Sequence, residues 1–558
     1  MRKQVLIVGG GPVGMLAALL LARHGVGSLL VERRSEIGSA PKAHAVNPRT
    51  LEICESVGVS AKALRASGAH ANDAGFVRFM DTLAGVELGA LPYERQDDAA
   101  LAFTPFPLTN IPQPKFEAAL EAAIKAEPLV DMRRGLACRQ VVETCDVVRA
   151  QLEGYASGIL NIECDYLIAA DGANSDIRKQ LGIGMEGPDS LQNYLMIHFE
   201  ADLSSLTDAR PGVLYFLFSP STKGVLIAYD RKQTWVLMHP LDNPDDVQRI
   251  FTENECCDLI KTAVGKALTD IEVKNISPWT MSAQIAERYR QGRIFLAGDA
   301  AHRFPPTGGL GLNTGVVDAQ NLAWKLAAVL REGAGSGLLD TYEEERRPVA
   351  MVNSEQSLTN AAKLFDLFGV LYGGDPTALE SHYKNVLANL SENVELASVV
   401  EAQRPHFDSF NLQLGYRYHS RAVSGAPEPV ASSDVDISDY RPSFLPGAHL
   451  PHRWVEQGGQ RKSLLTFIRP DRFTVLAGPE GDGWANEARK SGFSSLIWGR
   501  DFADDGSSWS EATELPDAAA LLIRPDGHIA AVLPTISQNM AGHLAGLMSQ
   551  FLFRYEVA

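Results

Sequence analysis

Residues 9 to 14 read Gly9-x-Gly11-x-x-Gly14, with Pro12 and Val13 inside the turn, and Glu32 follows further along. Positions without a side chain let a pyrophosphate approach the backbone, and a helix start offers it free N–H groups and a partial positive charge. An acid at Glu32 would accept hydrogen bonds from ribose hydroxyls. This combination predicts dinucleotide binding without separating FAD from NAD. Two further segments join acids to glycines. One is Ala170-Asp171-Gly172-Ala173-Asn174-Ser175. The other runs Gly298-Asp299-Ala300-Ala301-His302, then Pro305-Pro306, then Gly308-Gly309-Leu310-Gly311-Leu312-Asn313. An acid at Asp299 could accept from sugar hydroxyls, and the glycine run could turn its amides inward at a helix start.

Hydrophobic patterning names the elements that must position these residues. Val5-Leu6-Ile7-Val8 is a β-branched run suited to a strand buried on both faces of a parallel sheet. A helix over 15–23, a second strand at 28–32 and further buried strands at 166–170 and 294–297 complete that pattern, with an Ala-rich helix over 115–126. Between 192 and 240 the chain changes to alternating aromatic strands at 194–199, 213–218, 225–229 and 235–238, which predict an antiparallel sheet. Helices follow from about Gly315 to Gln403, residues 424–446 read as a linker, and strands are expected at 463–468, 473–477, 494–498 and 519–523.

Composition limits the partners. The 558 residues carry 51 Lys+Arg against 68 Asp+Glu, a net charge of −17, which argues against nucleic acid. With 45% hydrophobic and 21% charged residues the chain is an ordinary folded protein, long enough for about three domains. Its six cysteines (Cys54, Cys138, Cys145, Cys164, Cys256, Cys257) form no C-x-x-C, so neither a zinc ribbon nor a thioredoxin-type pair is expected, and no metal site. Reduced thiols fit a cytoplasmic protein. Met1-Arg2-Lys3 and the apolar stretch 5–22 imitate a signal peptide, but the glycine cluster and Pro12 at its centre suit a strand–turn–helix instead. No other window reaches about 18 uncharged apolar residues, so a soluble chain without a membrane partner is expected.

The three glycine-containing segments, in this order, resemble the GxGxxG, DG and GD motifs of the class A single-component flavin-dependent aromatic hydroxylases, the p-hydroxybenzoate hydroxylase-like superfamily. The resemblance spans residues 1–370. It implies an α/β fold. A Rossmann-like FAD-binding domain would take 1–75, 110–185 and 280–370, and an inserted antiparallel-sheet substrate domain 76–109 and 186–279. A helical segment at 371–423, the linker, and a C-terminal thioredoxin-like α/β domain at 447–558 would follow. FAD would be the cofactor, with NAD(P)H and O2 as co-substrates. The cofactor-binding residues carried over are Gly9, Gly11, Pro12, Val13, Gly14, Glu32, Arg33, Asp171, Gly298, Asp299, Pro306, Gly309, Gly311, Leu312 and Asn313. Arg49 matches a family arginine that pairs with the FAD pyrophosphate, and Gln113 a glutamine beside the flavin. In the family, the backbone equivalent to 308–313 faces the flavin N1–C2=O edge and stabilises the anion formed on reduction.

The same resemblance implies transfer of an electrophilic oxygen from a flavin C4a-hydroperoxide to an electron-rich ring carbon. Phenolate is the better nucleophile, yet a phenol of pKa ~10 is only about one part in a thousand ionised at pH 7. A base is therefore wanted. His44 sits where related phenol hydroxylases place an acid near the substrate hydroxyl, and it is taken as that base, with Pro305 as a further pocket contact. The stretch 224–229 lacks the arginine that holds a benzoate carboxylate in p-hydroxybenzoate hydroxylase, which disfavours a benzoate. Tyr215, Tyr229, Trp235 and Met238 are expected to line a wide apolar substrate pocket. Leu445-Pro446-Gly447-Ala448 and Leu522-Ile523-Arg524-Pro525-Asp526-Gly527 resemble the thioredoxin-like domain of phenol and polyketide hydroxylases. With no cysteine after Cys257, that domain is expected to pack or to build a homo-oligomer rather than do thiol chemistry. The expected activity is hydroxylation of a phenolic ring, ortho or para to its hydroxyl. The alternatives are oxygen insertion or epoxidation on a polycyclic polyketide-like substrate, and a flavin-holding protein without turnover. A halogenase W-x-W-x-I-P and a disulfide reductase C-x-x-x-x-C are both missing.

Overall fold

The computed structural model describes residues 2–154, 158–504, 506–535 and 538–554. The strand Arg2–Val8 lies between the parallel strands Gly158–Ala169 and Ser28–Glu32. Ile294–Leu296 extends the sheet on one side and Val130–Arg134 on the other, also in parallel. Val5, Leu6 and Ile7 are fully buried, as a run apolar on both faces requires. Register matters most here. Val8 pairs with Ala169 and with Val31, and Ala169 pairs with Leu296, so three strands end level with one another. Each end runs into one of the glycine-containing segments, at the carboxyl edge where parallel sheets place their ligands. A hairpin of Leu136–Glu143 and Val148–Gly154, not expected from the patterning, pairs antiparallel along Gly158–Ala169.

The second sheet has seven strands in the order Glu272–Met281, Gln192–Glu200, Thr234–Leu241, Thr222–Asp230, Leu214–Ser219, Phe76–Met80, Glu87–Pro92. All neighbours are antiparallel except Phe76–Met80 beside Leu214–Ser219. One face buries Leu195, Ile197, Phe199, Tyr215, Trp235 and Leu237 with Cys256 and Ile260 of the helix Glu253–Val264. The other face looks toward the carboxyl edge of the first sheet. The 32-residue helix Thr341–Tyr372 closes one side, setting Leu367 and Leu371 into a core with Phe79, Phe216 and Phe218.

In the C-terminal part, Thr474–Ala477 is flanked by parallel Ser494–Ile497 and antiparallel Ala520–Ile523, which pairs with Ile529–Leu533. With helices Asp482–Lys490 and Met540–Phe551, this is the thioredoxin-like arrangement. The strand expected at 463–468 is instead the end of Gln460–Ser463 followed by a 3-10 turn, Leu464–Phe467. The Ser463 hydroxyl accepts from the Leu465 N–H and starts that turn, so the apolar run is short-range helix. Residues 424–446 are irregular apart from a turn at Ser432–Asp434, yet Tyr440 and Phe444 within them are buried. No helix among the described residues is long and apolar enough to cross a membrane.

Candidate functional site

A cleft of about 1500 Å³ lies between the carboxyl edge of the first sheet and the free face of the second, and all three glycine-containing segments line it. Gly9 has φ +114°, and a Cβ there would collide with the Ala170 carbonyl oxygen, so only glycine brings the first and third strand ends together. At Gly11 and Gly311 a Cβ would project into open space in the cleft. Glu32 Oε2 accepts from the Gly10 N–H at 2.7 Å and Oε1 from the Arg34 N–H at 2.9 Å, which fixes the carboxylate at the cleft rim. Asp171 lines the cleft with Oδ1 buried and unpartnered, and burial raises its pKa. Asp299 is open to the cleft floor. The helix Leu310–Arg331 begins at Gly309, which is left-handed at φ +62°, so its first amides have no intrahelical partner and face the cleft with Leu312. Glycine-backed amides at one end, ribose-competent acids beside them and an unpaired buried carboxylate oxygen together fit a flavin dinucleotide.

Pro12, Val13, Arg33, Gln113, Pro305 and Pro306 also line the cleft, Gln113 donating to Glu117 at 2.7 Å. Four expected cofactor contacts are placed elsewhere. Arg49 is buried away from the cleft, 2.5 Å from Glu52 Oε2 and 2.8–2.9 Å from the His449 ring nitrogens. It ties the helix Pro48–Ser56 to the C-terminal part. Asn313 Nδ2 donates to the Ala45 and Gly309 carbonyls, and its Oδ1 accepts from the Asn47 N–H and the Thr50 hydroxyl. Its side chain is thus spent on joining loop to helix. Gly14 and Gly298 do not line the cleft but permit close packing, Gly14 under the Gly9 carbonyl and Gly298 against Val13. The Gly298 N–H donates to Asp318, which also accepts from Arg346 and lies 2.8 Å from His302 Nε2. Lys42 and Arg34 were missed by the sequence reading. Both line the cleft, and neither side chain makes a salt bridge among the described residues.

On the substrate side, His44 lines the cleft between two phenols, its ring centroid 5.9 Å from Tyr93 and 5.8 Å from Tyr229. Its tautomer follows from a chain of contacts. Gln96 Nε2 donates to the Ala74 and Tyr93 carbonyls, which can only accept, so Gln96 Oε1 accepts from Asn110 Nδ2 at 3.1 Å. Asn110 Oδ1 must then accept from His44 Nδ1–H, 2.8 Å away, and Nε2 is left as the acceptor. Burial lowers the His44 pKa, so the ring is neutral at pH 7. Met238 lines the cleft, and Tyr229 is on the same face with its hydroxyl buried and unpartnered. Tyr215 and Trp235 are corrected. Alternation along their strands puts them in the core against the helix Glu253–Val264, and Phe216 and Val236 take the cleft face instead.

Residues 2–357 match a family model described as an FAD binding domain, and residues 443–552 one described as aromatic-ring hydroxylase, C-terminal. The chain is 34% identical over 545 residues to a 4-methyl-5-nitrocatechol 5-monooxygenase of Burkholderia sp, covering 94% of this chain and 93% of that one. It is 33% identical over 565 residues to an aklavinone 12-hydroxylase of Streptomyces purpurascens, covering 99% of each. Among solved structures, the flavin-dependent monooxygenase PieE in complex with FAD and substrate superposes with a TM-score of 0.91 at 32% identity over 100% of both chains. A ternary complex of aklavinone-11 hydroxylase with FAD and aklavinone gives 0.81 at 30% identity over 99% of both.

Proposed function

Because the chain belongs to the FAD-binding aromatic-ring hydroxylases, flavin-dependent monooxygenases of aromatic substrates, we propose that it seats a phenol with the hydroxyl on His44 and adds one oxygen ortho or para to that hydroxyl. The observation that carries this reading is the acceptor nitrogen of a neutral, cleft-lining imidazole whose tautomer is fixed from behind by Asn110 and Gln96. FAD, when bound, would supply the redox chemistry that links NAD(P)H and O2. The backbone around Gly9 and Gly11, with Glu32 and Asp299, would hold its nucleotide part, and the amides at the start of Leu310–Arg331 would face the flavin ring. Lys42 and Arg34 are better placed than Arg49 to balance the pyrophosphate charge.

His44 decides how reactive the ring is. Burial holds the imidazole below its ordinary range, which is already far under that of a phenol, so complete proton transfer in the resting complex is unfavourable. His44 Nε2 therefore holds the phenolic proton in a hydrogen bond and takes it as charge leaves the oxygen during attack on the ring. Pro305 and the apolar residues of the second sheet keep water from the reacting carbon. The division into an FAD-binding part, an inserted substrate sheet and a thioredoxin-like tail is proposed with the boundaries given above, supported by each part having its own sheet.

The test is His44→Ala with a panel of simple, halogenated and polycyclic phenols. FAD content and flavin reduction by NAD(P)H are expected to persist, while oxygen transfer slows about 10²-fold or more and hydrogen peroxide replaces product. Unchanged coupling and pH profile would remove His44 from the reaction.

A further inference from the structure

His198 stands beside Tyr194 and Met196 on the second sheet's cleft face. Alternation along Gln192–Glu200 puts Tyr194, Met196 and His198 on the cleft face, and all three line the cleft. His198 is only 9% exposed, and neither ring nitrogen has a hydrogen-bond partner among the described residues. Burial keeps the ring neutral, so it offers one donor and one acceptor. A buried polar group left unpaired costs about 1–3 kcal/mol, which native proteins accept mainly where something else completes the site. With no partner to hold it, the ring can turn about Cβ–Cγ and bring either edge to the cleft without breaking a hydrogen bond. Asn275, its cross-strand partner, also lines the cleft and adds a second polar group.

Position separates this group from the reacting end. His198 pairs with Val236, and Val236 with Ile227, two residues before the Tyr229 that stands against His44. Two strand spacings, roughly 10 Å, therefore part His198 from the strand at the His44 end. With the two further residues along that strand to Tyr229, the span suits a fused-ring substrate better than a single benzene ring. We propose that His198, with Asn275, is a second polar anchor that binds a hydroxyl on a ring remote from the one being hydroxylated. The proposal rests on the reading that the reacting phenol lies at His44.

The test is equilibrium binding to the FAD-loaded protein, which needs no turnover and so fails or succeeds apart from the His44 coupling experiment. The probes are 2-hydroxyanthraquinone and 2,6-dihydroxyanthraquinone, which differ only in the remote hydroxyl. Wild type is expected to prefer the diol about tenfold, the scale of one hydrogen bond to a buried group. In His198→Phe the preference should fall to under twofold with 2-hydroxyanthraquinone affinity unchanged, and His198→Gln, which keeps a donor and an acceptor, should retain it. Equal weakening of both probes in His198→Phe would overturn the proposal. So would a wild type that fails to distinguish the two, including one that binds neither.

Discussion

The residues nearest the chemistry make sharp predictions. Gly9 holds a backbone angle that side chains rarely adopt, under a carbonyl that a methyl would strike. Gly9→Ala is expected to purify without the flavin absorbance, or with FAD affinity lowered at least tenfold by titration. For His44 the sign follows from its depressed pKa. The neutral ring is the working form, so the acid limb of kcat/KM should lie below pH 6.5. Asn110→Asp would place a carboxylate on Nδ1 and raise the imidazole pKa, moving that limb upward by about one unit or more. A pH profile of the two proteins checks it. Gly9, Glu32, Asp171 and Asp299 were legible because each belongs to a short local pattern, and His44 because the family resemblance pointed to its position. Arg49 was not, because its partner His449 lies at the far end of the chain and local sequence cannot separate an ion pair from a phosphate contact.

Elements decide which of those residues meet. Asn313 makes four hydrogen bonds that clamp the 45–50 loop to the first turn of Leu310–Arg331, so it acts on the cofactor through the helix rather than by touch. Asn313→Ala leaves buried groups unpaired and should cost roughly 3 kcal/mol, seen as a lower Tm and weaker FAD retention in the same protein. The parallel strands were readable as continuous apolar runs, and the aromatic strands as an antiparallel sheet. Alternation alone does not say which face meets which layer. Tyr215 and Trp235 went to the helix Glu253–Val264 because that helix supplies the apolar surface they need, while Phe216 and Met238 face the cleft. His198 was passed over for a related reason. It is a lone histidine in a strand, and only its missing partners mark it.

At the scale of the molecule, the long helices after the glycine run are joined to the C-terminal part by buried charge. Glu345 accepts from Lys325 at 2.7 Å and from Arg524 at 2.6 and 2.9 Å, and Arg524 also pairs with Asp526, which accepts from Trp324 at 3.0 Å. Although burial pushes Glu345 up, Arg524 and Lys325 hold it well below the usual carboxylate range. Its contribution is therefore complete above about pH 4.5 and is lost only as pH falls through the depressed value. Arg524→Met would leave Lys325 as the one remaining cation at Glu345 among the described residues and strip Asp526 of its arginine, and should cost about 3–5 kcal/mol, read as a fall in the denaturant midpoint at pH 7. None of this network was visible beforehand. Its members are scattered over two hundred residues, and each alone resembles an exposed helix charge or a turn.

The level strand tips have a counterpart in time. The cradle is assembled from Gly9, Asp171 and the 308–313 run, but the helix that carries the last of these rests on Asp526 through Trp324 and on Arg524 through the Glu345 that Lys325 shares. A ribosome-bound chain that has not yet exposed residues 524–526 lacks that support, so flavin loading belongs after synthesis, and stalled nascent chains should stay colourless.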